Sequence, residues 1–179
     1  MPRGGSQADR DLTIKTIIDR QEQIEVEDMQ YSPMAIFVEG TTSNGTCLLP
    51  FKKGAFSGMR TVIPSFATFN NGHVNPFYEC VSALPLFAML FSSLELCVCT
   101  FTTLPEFTPT AKMLEKHADK GKEPWEIFSW CVRDITSKYS GLPKDDTSSF
   151  QKKKAYASVM QGKGNDLEID GQKYTYSPD

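Results

Sequence analysis

The residues best suited to chemistry lie in Phe37-Val38-Glu39-Gly40-Thr41-Thr42-Ser43-Asn44-Gly45-Thr46. An apolar run ends there in a carboxylate, a glycine and a series of small polar side chains. Gly40 and Gly45 permit positive φ and close backbone approach, and the hydroxyls of Thr41, Thr42, Ser43 and Thr46 add donors. That combination suits the binding of an anion, above all a phosphate. Asn44 lies at the centre of the loop, in Asn44-Gly45-Thr46, which also has the form of a glycosylation sequon. Downstream, Phe51-Lys52-Lys53-Gly54-Ala55-Phe56 brings two cations to the same neighbourhood, where they can meet phosphate or an anionic surface.

Acid–base chemistry has no comparable candidate. A histidine acting as general base needs a positioned acidic partner. Five residues beyond His73 stands Tyr78, and five beyond His117 stands Lys122. His73 reads as a loop residue and His117 as a solvated position on a helix face. Five cysteines, Cys47, Cys80, Cys97, Cys99 and Cys131, form neither a CxxC pair nor a zinc spacing, and the odd number suits reduced thiols. Cys97 and Cys99 lie two apart on a strand-like run, so both point to one face and read as small core residues. Asp166, Glu168 and Asp170 imitate the start of a calcium loop, but Ser177 stands where a bidentate glutamate belongs.

The elements that must carry the loop follow from periodicity. Ile14, Ile17 and Ile18 recur at helical spacing after Ser6-Gln7-Ala8-Asp9, predicting a helix over about 7–25. Met34-Ala35-Ile36-Phe37-Val38 reads as a short strand buried on both faces. A second strand is expected over about 61–69, with Pro64 as an irregularity, then an apolar helix over about 78–91 and a third strand over about 94–101. Pro105 and Pro109 make the segment between them extended. Pro124, Trp125, Phe128, Cys131, Val132 and Ile135 define an amphipathic helix that ends before Gly141. A shorter helix is expected over about 148–160, then a hairpin turning at Asp170-Gly171. Strands separated by helices imply an α/β class, with a mixed, mostly parallel sheet covered by helices.

A length of 179 residues suits one hydrophobic core, and 40% apolar with 23% charged residues is ordinary for a globular chain. The net charge of −3 argues against nucleic acid as the main partner. Residues 1–5 lead into a polar run and not into a signal peptide. The apolar stretch 83–101 contains Pro85, Ser92, Ser93 and Glu95 and reads as a helix followed by a strand, not as a membrane span.

Taken together, Phe37-Val38-Glu39-Gly40-Thr41, Asn44-Gly45-Thr46-Cys47-Leu48-Leu49 and Phe51-Lys52-Lys53-Gly54-Ala55-Phe56 resemble the third signature block of the glycerolipid acyltransferases. The lysophosphatidylcholine and glycerol-3-phosphate acyltransferase branch is the most similar. Val62-Ile63-Pro64 resembles the fourth block, and Arg3 with Gly4-Gly5-Ser6 and Asp9-Arg10 looks like the tail of the second. The likeness runs from about Arg3 to Leu142. It implies a partial glycerol-3-phosphate acyltransferase-like fold over 1–142, incomplete at its N-terminus, with 143–179 as an extension.

The implied reaction is acyl transfer from acyl-CoA to a lysophospholipid or glycerol phosphate hydroxyl, with acyl-CoA as substrate and no further cofactor or metal. Arg3, Glu39, Gly40, Thr41, Asn44, Gly45, Thr46 and Lys52 would bind substrate, Arg3 and the Glu39-Gly40-Thr41 loop holding the acceptor phosphate. The family performs catalysis with a His-x4-Asp pair that this chain lacks, so the dyad is expected outside it. Where the family's loop often continues Glu-Gly-Thr-Arg, Thr42 replaces the arginine, as also occurs in the lysophosphatidylcholine-like branch. The family implies a membrane surface, the cytosolic face of the endoplasmic reticulum, and an enzyme if the dyad is supplied. The alternative is a catalytically dead subunit with a structural or phospholipid-binding role in a larger assembly.

Overall fold

The computed structural model of the chain describes residues 7–25, 32–40, 43, 45–70, 83–93, 98–146, 166–169 and 172–175. Helix and strand are mixed. The chain divides into two units, the first made of Met1–Gly40, Phe51–Phe66 and Phe101–Gly141, the second of Thr41–Pro50, Ala67–Thr100 and Leu142–Asp179.

The first unit begins with α1 (Gln7–Glu25) and closes with α4 (Pro124–Ser140). Both match the sequence expectation. Ile14, Ile17 and Ile18 are half-buried on one face of α1, which is what a period of 3.6 residues requires. Further along that helix, Gln21 Nε2 donates to the Ala55 carbonyl at 3.2 Å, and Glu25 accepts from the Thr61 hydroxyl at 3.0 Å. α4 starts at Pro124, where a missing N–H costs no hydrogen bond, and stops at Gly141, whose φ of 72° lets its N–H reach the Ser137 carbonyl at 2.9 Å.

The core of this unit is aromatic. Phe128 and Phe56 are 0% and 1% exposed, with ring centroids 5.3 Å apart in an edge-to-face pair. Phe107 stacks on Phe128 at 6.0 Å, and Ala55 and Val132 complete the buried cluster. Phe107 is held there by an antiparallel bridge to Val62, whose N–H and carbonyl both pair with it, at 3.0 and 2.8 Å. The proline-rich segment 104–109 is therefore extended, as its composition requires, yet not a free loop.

A short helix that the sequence reading left out, α3 (Ala111–Lys116), precedes α4. Thr110 caps it by accepting from the Met113 N–H at 3.3 Å. His117 closes it and is half-buried against Trp130, with ring centroids 5.4 Å apart, and not the solvated helix-face residue expected.

β1 (Ser65–Asn70) and β2 (Val98–Thr103) pair as a two-stranded ribbon, continued at its base by a 2.8 Å bond from Leu104 N–H to the Pro64 carbonyl. α2 (Ala83–Ser93) lies in the connection between these strands. Cys99, expected in the core, is exposed on β2.

In the second unit, Leu48 and Leu49 are buried, and Leu48 forms a parallel bridge with Lys144. β3 (Asp166–Ile169) and β4 (Gln172–Thr175) form the expected hairpin, antiparallel, with Ile169 opposite Gln172. The helix expected over 148–160 lies outside the described residues.

The expected mostly parallel sheet is not what the described residues form. Their strands make two two-stranded sheets, and the parallel pairing among them is the bridge at Leu48. Met34–Val38 is the element responsible for the difference. It runs extended, but Phe37 is 94% exposed while Ile36 and Val38 are half-buried and pack on the core. Burial alternates with the two-residue period of an extended chain, so one face is covered and not two. The chain then turns at Gly40, and the Val38 carbonyl takes its bond from Lys52 N–H at 2.7 Å.

Candidate functional site

The Glu39-Gly40 turn and the lysine pair meet in the first unit. Gly40 N–H donates to the Phe37 carbonyl at 3.1 Å and closes a four-residue turn, with Gly40 at φ 64°. The Lys52 N–H bond to Val38 lays the second strand of chain directly beside that turn. A Cβ on Gly40 would stand 3.3 Å from Lys52 Cγ. The positive φ favours glycine there, and a side chain would also require the lysine stem to give by a few tenths of an ångström.

The sequence Phe51-Lys52-Lys53-Gly54-Ala55-Phe56 folds so that its two ends grip the core and its centre stays outside. Phe51 and Phe56 stack with ring planes 4° apart and centroids at 6.1 Å. Between them a 3-10 turn, Lys53–Ala55, is closed by Phe56 N–H and Ser57 N–H, both donating to the Lys53 carbonyl at 2.9 and 3.0 Å. Lys52 and Lys53 are thus carried exposed on a fixed turn.

The two lysines then differ. Lys53 Nζ lies 3.5 Å from Glu123 and 5.7 Å from the centroid of the Trp125 ring, while Trp125 Nε1 donates to the same glutamate at 2.6 Å. This three-residue latch ties the turn to the start of α4. Sequence reading missed Glu123 and Trp125 as supports of the site. The available signal was the Glu123-Pro124-Trp125 helix start, which placed an indole and a carboxylate at one point. Lys52 faces outward beside Gly40, a point charge of the kind that suits a phosphate oxygen.

Of the other predicted residues, Gly45 and Thr46 belong to the second unit. Gly45 has φ 74° and donates its N–H to the Ser43 hydroxyl at 3.3 Å. Thr46 is exposed. Arg3, Thr41 and Asn44 lie outside the described residues. The structure therefore brings together Glu39, Gly40 and Lys52. The N–H groups of Gly40 and Gly45 are each engaged in a local turn.

His117 lies against Trp130, and Lys120 Nζ lies 5.4 Å from the same ring while binding Asp119 at 2.7 Å. That lysine contact, first of all, holds the Asp119 carboxyl below its ordinary range. His73 is outside the described residues. Among the described residues no three His, Cys, Asp or Glu side chains are grouped to hold a metal ion. In comparisons with known proteins the chain matches no protein-family model, no curated protein and no solved structure.

Proposed function

We propose that the chain is part of a glycerolipid acyltransferase, transferring an acyl group from acyl-CoA to the hydroxyl of a lysophospholipid or glycerol phosphate at a membrane surface. The observation that carries this reading is the Glu39-Gly40 turn braced by Lys52, in a chain whose blocks occur in the order Glu39-Gly40-Thr41, Phe51-Lys52-Lys53-Gly54, Val62-Ile63-Pro64. On this reading the fold is part of a glycerol-3-phosphate acyltransferase-like one. Lys52 neutralises the acceptor's phosphate, and the fixed turn orients its hydroxyl, so the contribution to rate is positioning. By the resemblance, Arg3 would add a second cation for the acceptor phosphate. A His-x4-Asp dyad outside this chain would take the hydroxyl proton as the acyl group leaves CoA sulfur.

A second reading, a catalytically dead phospholipid-binding subunit, is favoured by one observation. The described histidine, His117, lies against the Trp130 indole, and the neighbouring Asp119 carboxylate is bound by Lys120.

The test is acyl transfer by the native protein, purified from its source and weighed intact, with labelled acyl-CoA and either lysophosphatidylcholine or glycerol 3-phosphate. Transfer that falls when Lys52→Ala raises the acceptor KM by about tenfold, the effect of one lost charge-assisted contact, supports the first reading. Lysophospholipid binding that weakens in Lys52→Ala, with no transfer by the native protein, supports the second. Transfer and binding both indifferent to Lys52 remove the proposed acceptor site.

A further inference from the structure

The described part of α2 exposes apolar side chains on opposite sides of one helix. Leu84 is 82% exposed, Phe87 57% and Phe91 78%, and these three share a face at spacings of three and four. Met89, 49% exposed, stands about 140° round the helix from Leu84 at 100° per residue. A partner groove covers one face of a helix, whereas hydrocarbon surrounds it. Exposure on both sides therefore selects a surrounding solvent over a docking partner.

Charge and hydrogen bonding agree. No charged residue occurs between Glu79 and Glu95. An aqueous protein interface carries a polar rim, and this helix offers no charged residue to form one. One described polar side chain of α2 is internally satisfied, and its first turn carries one donor fewer. The Ser92 hydroxyl donates to the Ala88 carbonyl at 2.6 Å, and Pro85 brings no N–H to the first turn, where such donors lack helical partners. Immersion in hydrocarbon demands that economy, because an unsatisfied polar group there costs several kcal/mol.

Length sets the mode of insertion. The 11 residues of α2 extend about 16 Å, roughly half of a 30 Å hydrocarbon core. No described helix is long and apolar enough to cross a membrane. We infer that α2 is a membrane-docking element that inserts into the hydrocarbon of one leaflet without spanning the bilayer. The inference names the element behind the membrane partner of the reading above, and it does not depend on acyl transfer.

Flotation of the full chain with neutral phosphatidylcholine vesicles, without acyl-CoA, tests it. The chain is expected to float, with a bound fraction little changed by raised salt, because apolar burial is not screened. Leu84→Asp combined with Phe91→Asp should lower the partition coefficient by at least about tenfold, since each side chain loses its transfer from water. Leu12→Asp, at a leucine 65% exposed on α1, should leave it unchanged. In Phe87→Trp, the added indole should shift its emission to the blue on vesicles and be quenched by brominated acyl chains.

Equal flotation of the double variant would overturn the inference. So would binding abolished by raised salt, which would assign the contact to lysines. Self-association dispersed by the double variant, with no flotation, would assign the helix to protein contact instead. Because no acyl donor is present, none of these outcomes bears on transfer, and failed transfer leaves flotation interpretable.

Discussion

α4 and α2 are both rich in large apolar residues, and they are used in opposite ways. α4 alternates charge with apolar residues at helical spacing, so Ile127, Phe128, Cys131 and Val132 are buried while Lys138 and Tyr139 are exposed. α2 has no polar face to set against an apolar one, and Leu84 and Phe91 stand more than three quarters exposed. Apolar content alone thus does not decide burial. What commits a helix to a protein core is the contrast between its faces, together with capping that fixes its ends.

The sharpest way to break this comparison is to truncate one phenylalanine in each helix. Phe128→Ala should cost about 3–5 kcal/mol of stability, since it removes a fully buried ring that contacts Phe56 and Phe107. Phe91→Ala should stay within about 0.5 kcal/mol in vesicle-free solution, because an exposed ring has little burial to lose. Urea unfolding followed by circular dichroism measures both. Equal effects would mean that α2 is packed as firmly as α4.

The same contrast governs what the sequence made legible. α1, α4 and the β3–β4 hairpin were readable because each carries its own local signal. The signals are a 3.6-residue period, a proline start with a glycine stop, and Asp170-Gly171 between two short runs. The Met34–Val38 run was misread because a continuous apolar segment does not tell how many faces will be covered. That depends on residues distant in sequence, here Lys52 taking the Val38 carbonyl. α3 was missed because its six residues rest on the Thr110 cap and on neighbours more than on periodicity. In the candidate site, Glu39, Gly40 and Lys52 were legible as residue types. The Lys53–Glu123–Trp125 latch was not, since it joins positions about 70 apart through tertiary placement.

A smaller effect sharpens the role of capping. Gly141 has φ 72° with open space where a Cβ would be, so Gly141→Ala tests backbone strain alone. Stability should fall by about 1 kcal/mol, the cost of a left-handed conformation in an L-residue. Gly141→Asn should recover part of it, because asparagine tolerates that region. Thermal unfolding of the pair decides the matter, and equal midpoints for glycine and alanine would show that α4 does not depend on its C-terminal stop.

The smallest effect concerns the opposite end of α4. Glu126 Oε2 accepts from Lys122 N–H at 2.6 Å and from Glu123 N–H at 3.2 Å. These donors, Lys122 first, hold the carboxyl below the ordinary glutamate value of about 4.3. A carboxyl whose folded value lies lower binds its proton more weakly in the native state. Its contribution to stability is therefore complete above the unfolded value and disappears as pH falls through the folded one. Glu126→Gln keeps a neutral acceptor for the same N–H groups but removes the charge. Wild type should exceed Glu126→Gln in stability near neutral pH, and the gap should narrow once pH drops below about 4.3. A gap that stayed constant through that range would show that the hydrogen bonds, and not the carboxylate charge, fix the start of the buried helix.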